Sequence, residues 1–326
     1  MNSHTLTVNS WEVVTNEASR ACTQPAVSVI ITLFNYAAFI IGCLESVRAT
    51  RAEGLPGGFE VVVVDDGSTD DGAKLVEEYL ATRDLPVCLV KKKLNTGLTD
   101  SRNIGLQMAR APLVFILDAD NEIRPECLQA HYAALAATEL AAAYGHINRF
   151  DHASRRSLGV MSNQDWSVRR LVTSPCIDAM AMFRKATLFS VGGYSPEFGA
   201  LVPQGWEDYD LWLKLAQAGF AGKMIPQVLS DYRVHPTSMI HGTNDHRRQI
   251  AQYFLKKFCL LVRQYDDTGE LFGFSRRELA IAEHCGPLAW FRSKSTGQKI
   301  VQGLLSRKLC RSLCKRLASV YAWLYP

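Results

Sequence analysis

The sequence predicts an α/β domain with a mostly parallel central sheet, and three observations carry that expectation. Val27–Leu33, Val61–Val64 and Leu113–Leu117 are short, unbroken apolar runs rich in Val and Ile, the pattern of strands buried on both faces of a parallel sheet. Helical patterns alternate with them, as in right-handed βαβ units. Carboxylates directly follow two of the three runs, at Asp65-Asp66 and at Asp118-Ala119-Asp120, and ligands of such sheets bind outside the carboxyl ends of the strands.

Each element follows in order. The first run ends in Thr32-Leu33-Phe34-Asn35, and a helix is expected over Phe39–Ala49 with Ile40, Leu44 and Val47 on one face. The four valines 61–64 lead into Asp65-Asp66-Gly67-Ser68-Thr69-Asp70, then into a helix over Asp71–Arg83 carrying Leu75, Val76, Tyr79 and Leu80. A third helix is expected over Ser101–Ala109, before the run that ends at Leu117. The stretch 120–240 is mixed. It holds a Gly192-Gly193-Tyr194 turn and a Gly205-Trp206-Glu207-Asp208 segment leading into a helix to about Ala218. Another helical pattern covers His246–Val262. The last 36 residues carry eight Lys or Arg and no Asp or Glu, with apolar residues every three or four positions from Val301 to Leu324. That is a basic amphipathic helix. The division expected is a tail (1–25), an α/β domain (26–245) and a helical C-terminal extension (246–326).

Composition bounds the function. With 48% apolar and 21% charged residues the chain is ordinary globular protein, and a net charge of +4 gives no argument for nucleic acid. No apolar run reaches the 18 residues of a spanning helix, and no secretory signal is visible. Nine scattered cysteines without a Cys-x-x-Cys pair argue against a disulfide framework or zinc site and for a reducing cytoplasm.

Acids at strand ends suit a cation and a nucleotide. A divalent cation such as Mg²⁺ or Mn²⁺ uses one or two carboxylates plus phosphates and water, and it stabilises a leaving diphosphate. Asp120 can hold such a metal while Asp118 accepts hydrogen bonds from ribose or sugar hydroxyls. A lone D-x-D triplet is also a common solvated loop, and Asp65-Asp66-Gly67 also reads as a turn. Glu207-Asp208 caps a helix start favourably and can equally supply a general base for an attacking hydroxyl. His235 is either a packed histidine or a metal or phosphate ligand.

Taken together, these motifs resemble the family 2 glycosyltransferases of the GT-A fold. The likeness runs from Val27-Ser-Val-Ile-Ile-Thr-Leu-Phe-Asn-Tyr36 through Glu60-Val-Val-Val-Val-Asp-Asp-Gly-Ser-Thr-Asp-Asp-Gly72 and Asn95-Thr-Gly-Leu-Thr-Asp-Ser-Arg-Asn-Ile-Gly105. It continues in Leu117-Asp-Ala-Asp-Asn-Glu122, Gly192-Gly-Tyr194, Trp206-Glu-Asp-Tyr-Asp-Leu-Trp212 and Tyr232-Arg-Val-His-Pro-Thr-Ser238, covering about 210 of 326 residues. The resemblance implies a Rossmann-like sheet flanked by helices. It implies donor binding by Thr32, Asn35, Asp65, Asp66, Arg102 and Asp118, a metal at Asp120 and His235, and Asp208 as catalytic base with Glu207 beside it. It implies an inverting transfer from a nucleoside diphosphate sugar, most commonly a UDP-sugar, to a hydroxyl of a saccharide or lipid-linked saccharide, in surface polysaccharide or glycoconjugate synthesis. Alternatives are a polyprenyl-phosphate glycosyltransferase and a non-catalytic nucleotide-sugar-binding protein. The chain lacks Gln-x-x-Arg-Trp after Trp206-Glu207-Asp208 and lacks spanning helices, which departs from processive synthases of this family. The basic end, 291–326, either packs on the domain or attaches peripherally to the cytoplasmic face of the inner membrane.

Overall fold

The computed structural model describes residues 11–201, 205–236, 240–265 and 267–279. The basic segment 291–326 lies outside the described residues. In chain order the elements are β1 (Trp11–Thr15), α1 (Glu17–Ala21), β2 (Val27–Leu33), α2 (Ala37–Arg48), β3 (Phe59–Asp65), α3 (Gly72–Thr82), β4 (Val87–Lys92), α4 (Leu98–Met108), β5 (Leu113–Asp118) and β6 (Glu122–Ile123). They continue with α5 (Cys127–Ala136), β7 (Ala142–Asp151), β8 (Ser157–Met161), α6 (Val168–Thr173), β9 (Ala181–Arg184), α7 (Lys185–Ser190), α8 (Pro196–Leu201), α9 (Glu207–Gln217), β10 (Gly222–Val234), α10 (Ile240–Lys257) and α11 (Cys259–Gln264).

One sheet runs in the order β1-β4-β3-β2-β5-β9-β7-β10-β6, with β8 paired antiparallel to β7 over Ile147–Phe150. Its parallel part, β4-β3-β2-β5, contains the three apolar runs. Alternate residues feed opposite faces. Val29, Ile31, Val61, Val63 and Phe115 pack with α2, α3 and α5, while Val62, Val64 and Val90 meet Ile104 of α4. The α4 helix lies so close to β2 that a Cβ at Gly105 would sit 2.4 Å from the Ile30 side chain, so this contact requires glycine. Register sets the site: Thr32 pairs with Val64 on one side and Asp118 on the other, and Leu33 pairs with Asp65. Thr32, Asp65 and Asp118 therefore stand together at the carboxyl edge.

The remaining sheet is mixed. β9 is antiparallel to β5 and β7, whereas β10 runs parallel to β7. β7 and β10 carry polar residues among apolar ones, so neither reads as an unbroken run. Two expected boundaries also move. Residues 11–21, assigned to a tail, form α1 and the edge strand β1, antiparallel to β4 with Trp11 opposite Lys92. The first compact unit extends to Phe274 and the second starts at Ser275, so α10 belongs with the sheet and not with a separate C-terminal region. Its Phe254 is fully buried against Phe198, Trp206 and Tyr209. Burial of this aromatic cluster is what holds α10 to the sheet domain. Among the described residues no helix is long and apolar enough to cross a membrane.

Candidate active site

A cavity of about 590 Å³ opens where β2, β3 and β5 end. Of the expected donor residues, Thr32, Asn35, Asp66 and Asp118 line it, as does Asp120. The loops around it are tied to one another. Asn35 adopts a left-handed φ of 56°, which asparagine tolerates better than most residues. Its N–H donates to Ser68 Oγ at 3.0 Å, and its Oδ1 accepts the Thr69 N–H at 2.8 Å. Asp66 is 4% exposed. Its oxygens accept the backbone N–H groups of Thr96 and Gly97, each at 3.0 Å, and Lys92 Nζ at 2.5 Å. Lys92 also reaches Asp100 and Ser101 at 2.9 and 3.0 Å. Asp66 thus faces the cavity and holds the 95–97 loop at once.

Asp65 behaves differently. It is buried and outside the cavity lining, and its Oδ1 accepts the Ser68 N–H at 3.3 Å. Burial raises its carboxyl above the usual range, against the Ser68 hydrogen bonds. The expectation that Asp65 shares the pocket with Asp66 is therefore corrected. Asp65 is the last residue of β3 and Asp66 lies beyond it, so the two carboxyls take different surroundings.

Arg102 is 1% exposed on α4. Its Nη2 donates to Asp118 Oδ1 at 2.7 Å and its Nη1 to Glu207 Oε1 at 2.5 Å. Its guanidinium lies over the Tyr194 ring, 5.2 Å from the centroid. Burial opposes its charge, but Asp118 and Glu207 outweigh burial and hold the guanidinium well above its ordinary value. Both terminal nitrogens are committed to carboxylates, so the structure makes Arg102 a strut between a strand end and a helix start.

At that helix start, Trp206 precedes α9 with a left-handed φ of 66°. Such a φ in a bulky non-glycine residue is uncommon and clusters at functional sites. Stacking on Phe254, with ring planes 10° apart, and the Arg247 guanidinium at 5.8 Å hold the ring. The turn places Asp208, half-buried, at the start of α9 next to Glu207; it is not among the residues that line the cavity. Burial raises the Asp208 carboxyl well above its ordinary range, reinforced by Glu207 and Asp178 and opposed by Arg102.

Asp120 and His235 also come together, with Oδ2 and Nε2 3.0 Å apart. Arg233 Nε donates to the Asp120 carbonyl at 2.8 Å, and its backbone N–H donates to Asn121 Oδ1 at 2.9 Å. Burial raises the Asp120 carboxyl, opposed by His235. No group of three His, Cys, Asp or Glu side chains among the described residues is placed to hold a metal. Asp120 and His235 fit a cation that takes its remaining ligands from a diphosphate and water. Three side chains in or around the site were given no role by the sequence analysis. Lys92 ends β4, which was not among the apolar runs. Tyr232, quoted only within a motif, lines the cavity from β10. Asp178 precedes β9 in a loop without a recognisable motif.

The sequence model described as "Glycosyl transferase family 2" matches residues 28–189. A teichoic acid poly(glycerol phosphate) polymerase from Staphylococcus epidermidis is 34% identical over 96 residues, 29% of this chain and 13% of the polymerase. The matched segment is thus a small part of that relative. Among solved structures, S. aureus TarS 1-349 in complex with UDP superposes with a TM-score of 0.53 at 21% identity, covering 73% of this chain and 70% of that one. The mannosyltransferase PcManGT from Pyrobaculum calidifontis in complex with GDP-Man and Mn²⁺ gives a TM-score of 0.53 at 20% identity, covering 95% and 84%. These likenesses establish the GT-A fold.

Proposed function

We propose, from the premise that this chain belongs to glycosyl transferase family 2, that it transfers a sugar from a UDP-sugar to a hydroxyl of a saccharide or lipid-linked saccharide, inverting the anomeric carbon. The observation that carries this reading is the Arg102 strut. One guanidinium joins Asp118, at the edge of the donor cavity, to Glu207, beside Asp208. A donor in the cavity and a base on α9 then flank a common point, as a single in-line displacement requires.

In that displacement the acceptor oxygen forms a bond to the anomeric carbon while the bond to the diphosphate oxygen breaks. The diphosphate leaves with the bonding pair and Asp208 takes the acceptor proton. A raised carboxyl is a stronger base than an ordinary one, which suits Asp208 to that proton. Thr32, Asn35 and Asp66 face the nucleoside, Asp118 faces the ribose or sugar hydroxyls, and Asp65 shapes the loop behind them. Arg102 sets the spacing between donor and base. Asp120 and His235 would hold a Mn²⁺ or Mg²⁺ ion, whose charge offsets that of the leaving diphosphate. A uridine donor and a manganese ion are supported by the UDP complex of TarS and the Mn²⁺ complex of PcManGT, and a role in surface polymer synthesis by the teichoic acid relative.

The basic amphipathic pattern of 291–326 supports peripheral attachment to an anionic cytoplasmic membrane surface, where lipid-linked acceptors reside. Equal co-sedimentation with anionic liposomes by the whole chain and by a chain ending at residue 290 would remove that attachment. The donor assignment is tested by thermal shift with UDP-, GDP- and dTDP-sugars in the presence of Mn²⁺. A rise in melting temperature with UDP-sugars that EDTA cancels is expected. No shift with any nucleotide sugar would sink the reading.

A further inference from the structure

Arg233 stands near the end of β10 and crosses to the turn that joins β5 to β6. It is 7% exposed, and each nitrogen of its side chain has a separate partner. Nε donates to the Asp120 carbonyl at 2.8 Å, Nη2 donates to Glu122 Oε1, and Nη1 donates to His152 Nδ1 at 3.2 Å. A guanidinium only donates, so His152 Nδ1 is the acceptor in that contact. The backbone N–H of Arg233 adds a fourth bond, to Asn121 Oδ1 at 2.9 Å. One residue of a distant strand thus holds three consecutive residues of the turn. Its guanidinium is held from two further directions, 5.3 Å from the Phe39 ring centroid and 4.8 Å from that of Phe150.

The same stretch of chain supplies the partner of the Asp120 carboxyl. His235 follows Arg233 by two residues, and its Nε2 lies 3.0 Å from Asp120 Oδ2. Its ring packs on the Phe39 ring that Arg233 also meets, with centroids 4.7 Å apart. β10 pairs with β6 as well, but that ladder stops at Asp231 opposite Glu122, two residues short of Asp120. Beyond it Arg233 carries the connection up to Asp120. The charges are divided with equal economy. Asp118 is paired with Arg102, and Glu122 with Arg155 and Arg233. Arg233 grips Asp120 by its carbonyl, and no Lys or Arg among the described residues reaches the Asp120 carboxyl.

We propose that Arg233 is a positioning residue for the candidate ion site: it fixes the Asp120 carboxyl opposite His235 through the backbone and leaves the charge of that carboxyl to a divalent cation. This rests on the reading of Asp120 and His235 as the residues that hold Mn²⁺ or Mg²⁺. Lysine is no substitute here, because a single ammonium cannot serve three acceptors placed around a planar fork. Groups that orient the ligands of a metal site set its affinity without touching the ion.

The test measures Mn²⁺ binding to the full chain in the presence of UDP, read from the electron paramagnetic resonance signal of free Mn²⁺. Arg233→Lys should weaken that binding by about tenfold or more, with UDP binding in EDTA unchanged. A double-mutant cycle shows whether Arg233 acts through Asp120. In an Asp120→Ala background the same lysine substitution should cost no more than about a further twofold. If the lysine variant does not fold, Glu122→Gln takes its place. It keeps the backbone bonds and removes the charge that anchors Nη2, so Mn²⁺ binding should weaken in the same direction. Mn²⁺ affinity equal to that of the wild type in the folded variant would overturn the proposal, and so would an undiminished loss in the Asp120→Ala background. Both results leave the ion-site reading standing. Absence of Mn²⁺ binding by the wild type beyond that of UDP alone would sink that reading and the proposal with it.

Discussion

Asp66, on the wall of the cavity, and Asp208, in the first turn of α9, stand under opposite electrostatics. Asp66 ends a strand run of four valines, and its charge is matched before any ligand arrives by Lys92 and two backbone N–H groups. Asp208 opens a helix, accepts among the described residues only the Tyr209 N–H at 2.8 Å, and feels Glu207 and Asp178 more strongly than Arg102. The donor half is thus preorganised to receive hydrogen-bond donors. On the proposed reading the acceptor half lies around Asp208, which is held short of positive charge and so favours a proton. Arg102 keeps the two halves apart electrostatically by neutralising the acids between them.

The largest effect should come from breaking the acceptor half. Asp208→Asn removes the base and keeps the side-chain shape, so transfer should fall by about 10²–10⁴-fold while UDP affinity stays within about twofold. Near-normal turnover in a coupled UDP-release assay would refute the base assignment. In the wild type, kcat/KM should climb as pH rises through the raised Asp208 pKa. A plateau already reached at about pH 5, where an ordinary carboxylate is ionised, would contradict that environment.

The donor half breaks through stability. Lys92→Met leaves Asp66 buried without its cation, and removing one partner of a buried pair costs about 3–5 kcal/mol. Urea denaturation should register that loss together with weaker UDP binding; a loss below about 1 kcal/mol would mean that the two N–H donors suffice. Asp120→Ala should be milder for folding and selective for the ion. Mn²⁺-dependent UDP affinity should drop by at least the roughly 10–100-fold that follows loss of a supporting metal-site group, with metal-independent UDP binding unchanged in calorimetry.

The same contrast explains what the sequence discloses. β2, β3 and β5 are buried on both faces, so their runs are unbroken and the polar residues after them mark the donor edge. That Thr32, Asp66, Asp118 and Asp120 stand where the cavity opens was therefore legible from local pattern. The acceptor half depends on pairings across long sequence distances. β7 and β10 interleave polar with apolar residues, and Asp178 meets the helix that carries Asp208 through the Trp212 indole N–H. The pairing of Arg102 with Glu207, 105 positions away, is a separation that no local motif reveals. Nor does local pattern tell that Asp66 lines the cavity while Asp65 does not.

The smallest effect sharpens the comparison most. Asp178 has a folded pKa of about 7, against about 3.9 in an unfolded chain. Between those values the folded state keeps a proton that the unfolded state has released, so stability falls as pH rises from about 4 to about 7. Asp178→Asn carries no charge at any pH and escapes that loss. Its melting temperature should match the wild type near pH 4 and exceed it by at least about 2–4 °C at pH 8, the shift expected for roughly 1 kcal/mol in a domain of this size and a fraction of what the whole pKa change would give. Asp66→Asn should do the reverse at pH 8 and lower the melting temperature, because it strips the buried Lys92 of its partner. If both asparagine variants moved in the same direction, the two acids would share one electrostatic character, and the contrast between a matched donor acid and an unmatched acid beside α9 would fall.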